Sequence, residues 1–260
     1  MKRNRVARVW ERLHRALRLH GIVGLFRLLP RNVAYVLDLR RRQLRRSLDE
    51  FDRRFGVDTA SHRSISTLDV PLEIAAHATR YEPIASLERY LRALDIAFEH
   101  YTFIDYGCGK GRALLMASDF PFKKIIGVEY SAELASIARR NIERYRSDNQ
   151  KCLTIRVSEG NAGLFDPPDT AAVFFFHNPF DGLILEQVLD RIRRSHSAPG
   201  RVNYLVYVDP RHRGSIEADA SWEIVADHHS WVVYRSGGVE NCGATARTSA
   251  PDGSRRGAST

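Results

Sequence analysis

Apolar runs alternate with amphipathic segments through the middle of the chain, and this pattern predicts an α/β fold. The predicted helices carry apolar residues at steps of three and four, whereas the runs between them are apolar throughout, as buried parallel strands are. Five such runs lie at residues 101–104, 123–128, 153–157, 171–176 and 202–208. Two more, at 222–226 and 231–234, predict a closing antiparallel hairpin. We therefore expect a seven-stranded, mostly parallel sheet.

The start of the chain has a different pattern, that of basic amphipathic helices. Apolar residues recur at helical spacing over 5–20 and 33–54, and arginines fill the other faces. Residues 1–56 contain 16 Lys and Arg against 5 Asp and Glu, whereas the remainder contains 24 against 26. The net charge of +9 therefore belongs to this segment. Because the excess of basic residues lies outside the α/β domain, the overall charge is weak evidence that this domain binds nucleic acid.

These patterns divide the chain into three parts. We predict a basic helical extension at 1–60, an α/β domain at 61–236 and a disordered tail at 237–260, which is poor in apolar residues. Three interpretations of the extension stay open. It is a helical cap with solvated arginines, a segment that binds an anionic membrane surface, or a segment that binds RNA or DNA phosphates.

Cysteine content and hydropathy indicate the cellular compartment in which the protein is expected. The three cysteines form no disulfide framework, which fits a reducing cytoplasm. No apolar run approaches the roughly 20 residues that a membrane span needs. We expect a cytoplasmic protein, with a peripheral position at the membrane as the alternative.

A glycine motif directly follows the first predicted strand. Asp105 ends the strand, and Gly107, Gly109 and Gly111 come before a helix-like run. Glycine is needed where the backbone turns sharply and lies close to a ligand. The dinucleotide pattern G-x-G-x-x-G fails because Arg112 stands where its third glycine belongs, and no glycine-lysine-serine/threonine triplet of a P-loop follows.

This D-x-G-x-G-x-G segment resembles motif I of the class I S-adenosylmethionine (SAM) methyltransferases. The resemblance implies a Rossmann-like fold with SAM as cofactor. It assigns Glu129, at the end of the second strand, to the two ribose hydroxyls, one per carboxylate oxygen. Asn161, after the third strand, stands where many members carry an acid that holds the adenine amino group. Tyr81 and Glu82 precede motif I, where a segment closes over the methionine end of the cofactor in many members.

A second resemblance concerns the end of the fourth strand. His177-Asn178-Pro179-Phe180 is similar to the Asn-Pro-Pro-Tyr motif of amino-methylating members, with Phe180 replacing the second proline and Asp181 the aromatic residue. The Asn178 oxygen and the Pro179 carbonyl can accept hydrogen bonds from an amino group. Phe180 can pack against the acceptor or the sulfonium by a cation–π contact.

We therefore predict a SAM-dependent methyltransferase that acts on an amino nitrogen of a protein or small molecule, with Glu82, His177 or Asp181 as candidate bases. The alternatives are a nucleic-acid methyltransferase that uses the basic extension, and a non-catalytic SAM-binding protein at the membrane periphery. No metal site is predicted. The acceptor itself is not identified by the sequence.

Overall fold

A computed structural model describes residues 42–61, 83–195 and 201–236. The seven strands are β1 (Thr102–Tyr106), β2 (Lys124–Glu129), β3 (Ile155–Glu159), β4 (Ala172–His177), β5 (Asn203–Val208), β6 (Trp222–His228) and β7 (Trp231–Ser236). The helices are α1 (42–55), α2 (Glu88–Leu91), α3 (Arg112–Ala117), α4 (Ala132–Arg144), α5 (Gly182–Ser195) and α6 (Arg213–Glu217). Short 3₁₀ helices span Phe98–His100 and Ala162–Leu164.

The strands form one sheet in the order β3-β2-β1-β4-β5-β7-β6. β1 to β5 are parallel, and β7 is antiparallel to both β5 and β6. The predicted seven-stranded, mostly parallel sheet is thus confirmed. From β1 the chain builds outward to β2 and β3, then returns to place β4 on the other side of β1. The crevice beyond the carboxyl ends of β1 and β4 is therefore a topological switch point, where α/β sheets bind ligands.

Alternate residues of each central strand bury their side chains in opposite layers. Phe103 and Phe175 belong to the apolar cluster on one face, and Ile104 and Phe174 belong to the cluster on the other. All four are at most 1% exposed. Burial on both faces explains why these strands are continuous apolar runs in the sequence.

Helix α1 packs against the outside of helices α3 and α4. Its Phe51 and Phe55 rings lie 6.2 and 4.7 Å from the ring of Tyr145, beyond the end of α4. Gly56, at φ 67°, follows the last helical residue, in the left-handed region where glycine commonly ends a helix. Residues 42–55 therefore cover the domain on one side.

One predicted helix is much shorter than expected. The apolar stripe over 84–98 predicts a continuous helix, but only Glu88–Leu91 is α-helical. The amides of Ala93 and Leu94 bond to carbonyls three residues back rather than four, so the helix tightens and ends. Leu87, Leu91 and Leu94 are nevertheless buried, because turns deliver the same side chains to the core.

Several predictions fall on residues outside the described ranges. They include the helix over 5–20, the first part of the helix over 33–54, and the tail at 237–260. Within the described ranges, every helix is too short or too polar to cross a bilayer.

Candidate active site

The glycine motif forms a loop at the carboxyl end of β1. Gly107, Gly109 and Gly111 have φ of 77°, 53° and 83°, a region that favours glycine over other residues. The Gly107 amide donates to the carbonyl of Val128 at 2.8 Å, which ties the loop to β2. A Cβ at Gly107 would lie 2.7 Å from the Cβ of Pro179. The glycine loop and the Asn-Pro turn after β4 are therefore in direct contact.

Cys108 fills the space beneath this loop. A Cβ at Gly127 in β2 would lie 2.6 Å from Cys108 Sγ, so glycine at 127 makes room for the sulfur. Burial and the nearby charges of Asp105 and Glu129 raise the pKa of the Cys108 thiol well above its usual range. The side chain is a protonated filler.

Two buried carboxyl groups lie at the ends of β1 and β2. Glu129 Oε2 accepts from the Gly109 amide at 2.8 Å and Oε1 from the Ser131 amide at 2.9 Å. Burial raises the pKa of Glu129, and these backbone bonds oppose the rise. Burial, with the charge of Glu129 as a second cause, raises the pKa of Asp105 to about 8. The two oxygens of Glu129 together keep acceptor capacity for a further donor.

The two charged side chains in and directly after the glycine loop are buried. Lys110 is fully buried, and its Nζ lies 2.8 Å from Asp58 Oδ1. Arg112 is 2% exposed and donates to Thr59 Oγ1 at 2.7 Å and to Asp52 Oδ1 at 3.4 Å. Lys110 is thus committed to an ion pair with the segment after α1, which agrees with the failure of the P-loop pattern.

The Asn-Pro turn after β4 lies beside a second strand end, that of β5. Asn178 and Asp209 have φ of 41° and 50°, unusual values for residues other than glycine. Asn178 Nδ2 donates to Asp209 Oδ2 at 3.5 Å, and Arg211 Nε donates to the same oxygen at 3.0 Å. Asn178 is 7% exposed, whereas the Asp209 side chain is about half exposed. The two residues form one polar pair at the edge of the crevice.

The other predicted residues after β4 have mainly structural contacts. The Phe180 ring is 6% exposed and packs edge-on against Phe176 at 5.9 Å, within the core. The Asp181 carboxylate accepts from the Leu183 amide at 3.1 Å and so caps α5. His177 is half-buried at the end of β4. The roles predicted for Phe180, His177 and Asp181 in transfer stay predictions.

Asn161 occupies the carboxyl end of β3, on the side predicted for adenine. Its Oδ1 accepts from the Gly163 amide at 2.8 Å and so caps the short helix that follows. The adenine contact of Asn161 stays a prediction. Tyr81 and Glu82 lie outside the described residues.

Asp209 is the candidate that sequence reasoning missed. The strand-ending dipeptides Asn178-Pro179 and Asp209-Pro210 follow neighbouring strands of the sheet. The repetition of an Asn or Asp followed by Pro is visible in the sequence, but only the β4–β5 pairing shows that the two turns are adjacent.

These residues fit a cationic nucleoside cofactor such as SAM. The glycine loop lies at the carboxyl end of β1, at the switch point of the sheet, and Glu129 offers acceptor capacity next to it. A nearby positive charge lowers the free-energy cost of ionising two carboxyl groups that are buried close to each other. The sulfonium and amino groups of SAM supply such charge.

A family model matches just over half of the chain. The model of the protein-L-isoaspartate(D-aspartate) O-methyltransferase (PCMT) family matches residues 38–174. The matched segment contains the glycine loop, both buried carboxyl groups and Asn161, and it ends within β4, before Asn178. No curated protein matches the chain by sequence.

Several solved methyltransferase structures have a related chain path. An RNA methyltransferase from Salinibacter ruber bound to S-adenosyl-L-homocysteine shares 19% identity over 60% of this chain and 92% of its own, with a TM-score of 0.40. A precorrin-6y C5,15-methyltransferase from Geobacter metallireducens shares 18% identity over 58% of this chain and 86% of its own, with a TM-score of 0.42. A glycopeptide N-methyltransferase bound to SAM shares 10% identity over 58% of this chain and 91% of its own, with a TM-score of 0.41. None of these likenesses bears on the acceptor of this chain.

Proposed function

The chain belongs to the PCMT family, and on that premise we propose that it transfers a methyl group to an amino nitrogen of a protein or small molecule. Family membership confirms the prediction of a class I SAM-dependent methyltransferase. The proposal concerns the acceptor, and the observation that carries it is the Asn178–Asp209 pair beside the glycine loop.

We call the side of the crevice formed by the glycine loop, Asp105 and Glu129 the proposed cofactor half, and the side formed by Asn178, Pro179 and Asp209 the proposed acceptor half. The family match covers the first and stops short of the second. It ends at Phe174, whereas Asn178, Pro179 and Asp209 follow it in the chain. The substrate in the family name, an isoaspartyl carboxylate, is therefore not implied by the matched residues. The acceptor has to be argued from the residues after β4 and β5.

The charge of the crevice favours an amine over a carboxylate. Asp105, Glu129 and Asp209 all lie at the carboxyl edge of the sheet, and an added carboxylate would be repelled by any of them that is ionised. Among the described residues of the loop and the two strand-end turns, Lys110 and Arg112 are buried in ion pairs behind the loop. Arg211 is paired with Asp209. An amine, cationic before it loses its proton, suits this edge.

The residues of the chain would act mainly by holding and orienting the acceptor. When bound, SAM supplies a methyl group already activated by its sulfonium. The Asn178 oxygen and the Pro179 carbonyl accept hydrogen bonds from the amine and direct its lone pair toward the cofactor side. Asp209 holds the Asn178 amide and attracts the cationic amine. Its carboxylate is also placed to receive the proton that the nitrogen loses before attack.

Two other acceptors remain alternatives to be tested. Carboxylate O-methylation follows the family name, and nucleic-acid methylation would use the basic extension. In α1 the side chains of Arg42, Arg45 and Arg46 are exposed, as phosphate binding requires, but exposed arginines suit a solvated surface equally well.

The deciding experiment is methyl transfer from SAM tritiated in the methyl group to a whole cell extract that keeps its small molecules, followed by separation into protein, nucleic-acid and small-molecule fractions and alkaline treatment of each labelled fraction. Methyl esters hydrolyse in base and release volatile labelled methanol, whereas N-methyl groups are retained. We expect alkali-stable label in protein or small-molecule amines, at a level well above that obtained with the Gly107→Val variant. Volatile label would favour carboxylate transfer, and label in RNA or DNA would favour the nucleic-acid alternative.

A further inference from the structure

We propose that residues 52–61, the last turn of α1 and the segment after it, hold the glycine loop in the shape that binds SAM. In this way they set the affinity of the loop for SAM. They act through Lys110 and Arg112, the two charged side chains between and after the loop glycines. They include no residue predicted to touch the cofactor.

In the loop, glycines alternate strictly with residues that carry a side chain. Glycines occupy positions 107, 109 and 111, and the intervening side chains are Cys108 and Lys110, with Arg112 next. Glycine is free to leave a positive-φ conformation, so three glycines within five residues do not hold one loop shape by themselves. Backbone bonds to Val128 and Glu129 hold the β2 side of the loop, and the side chains of Lys110 and Arg112 hold its other side.

Those side chains are anchored in residues 52–61. Lys110 Nζ pairs with Asp58 and also donates to Ser61 Oγ. Arg112 donates to Thr59, Asp52 and the Leu48 carbonyl, and its guanidinium lies 4.2 Å from the centre of the Phe51 ring. A buried cation stays in place only where its partners stay in place, because a stranded buried charge is strongly unfavourable.

The anchoring segment is itself held as a unit. Asp52 accepts from the Thr59 amide, the Thr59 hydroxyl and the Ala60 amide at 2.7, 2.5 and 2.7 Å. Asn141 of α4 accepts from the Asp58 amide and donates to the carbonyls of Asp58 and Lys110, all at 2.9 Å. The side-chain amide of Asn141 therefore joins residues 52–61 directly to the backbone of the glycine loop.

Such an arrangement couples the two elements in both directions. If the segment stabilises the loop shape that binds SAM, SAM must stabilise the segment by the same factor. This reciprocity gives a test on the unmodified protein. Hydrogen exchange at the Asp58, Thr59 and Ala60 amides should slow when SAM is saturating, whereas exchange in β6 should not change. Unchanged exchange at these three amides would overturn the proposal.

The second test is SAM titration by calorimetry on full-length variants. Asp58→Asn and Asp52→Asn should each weaken SAM binding about tenfold, and under turnover they should raise the KM for SAM without lowering kcat. Asp49→Asn is the matched control, because Asp49 is exposed on the same helix. Equal affinities for Asp58→Asn, Asp52→Asn and the control would show that the segment does not position the loop.

A double variant separates positioning from general stability. Lys110→Met combined with Asp58→Asn leaves no unpaired buried charge, so its Tm should recover toward that of the wild type. The tie to the segment is still lost, so SAM affinity should stay about tenfold weaker. Recovery of affinity together with Tm would mean that the ion pair serves stability alone, and that would overturn the proposal. Where Asp58→Asn does not fold, this double variant carries the titration.

Discussion

The cofactor half and the acceptor half of the crevice are built in opposite ways. In the cofactor half all unusual backbone angles belong to glycines, and the charged groups are buried. In the acceptor half they belong to Asn178 and Asp209, and Asp209 is exposed. Glycine reaches such angles without strain, whereas a residue with a Cβ pays about 1 kcal/mol for each. The acceptor half therefore holds its two polar side chains in place at a cost, and this is typical of residues that are kept for function.

The sharpest way to break the cofactor half is Gly107→Val. Valine is strained at φ 77°, and its Cβ would lie 2.7 Å from Pro179, so the loop and the Asn-Pro turn must separate. We expect SAM affinity to fall at least about 100-fold, with transfer lost as a result. Calorimetric titration measures the affinity, and Gly214→Val is the control because a Cβ there meets open space. Near-normal SAM binding by Gly107→Val would show that the loop is not the cofactor site.

A double-mutant cycle on Asn178 and Asp209 tests the acceptor half. Asn178→Ala should lower kcat about 100-fold with SAM affinity nearly intact. Asp209→Asn should lower kcat about tenfold, since it loses a hydrogen bond to a charged group. The double variant should lose less than the product of the two single losses, because Asp209 acts in part by holding Asn178. Additive losses would mean that the two residues act separately, and lost SAM binding in Asn178→Ala would mean that this turn belongs to the cofactor site.

The smallest expected effect concerns the charge of Asp105. Its folded pKa of about 8 lies above the ordinary 3.8, so the folded state holds the proton longer than the unfolded state does. The stability that this proton contributes is complete below about pH 4 and is lost as the pH rises through about 8. Asp105→Asn does not titrate. Its Tm relative to the wild type should therefore rise by about 5 °C between pH 5 and pH 8.

Thermal unfolding across this pH range, without cofactor, measures the difference. Asp95→Asn, a change at an exposed carboxyl, is the control. A Tm difference between Asp105→Asn and the wild type that does not vary with pH would show that Asp105 is already ionised in the folded protein.

The same contrast explains what sequence reasoning could reach. The glycine loop and Glu129 lie within one β-α-β unit, so the strands and the glycine turn were predicted from local pattern, and the resemblance to methyltransferases assigned Glu129 its role. The acceptor half depends on the pairing of β4 with β5, which brings together residues 31 apart. Asp209 was therefore missed although its dipeptide was visible.

Two further differences have the same cause. The helix predicted over 84–98 gave way to turns because burial of its apolar side chains does not require one continuous helix. The ion pairs of Lys110 and Arg112 with residues 52–61 could not be predicted, because charges in a sequence are ordinarily assigned to solvated faces. In both cases contacts distant in sequence decided the outcome.

The absence of a side chain at Gly127 has a consequence for chemical probing. Because Cys108 occupies that space as a protonated, enclosed thiol, alkylating reagents cannot reach it while the loop is closed. Its modification must wait for a transient opening of the loop. The protein therefore carries its own reporter beneath the glycine loop, and the rate at which Cys108 is labelled records how often the loop opens.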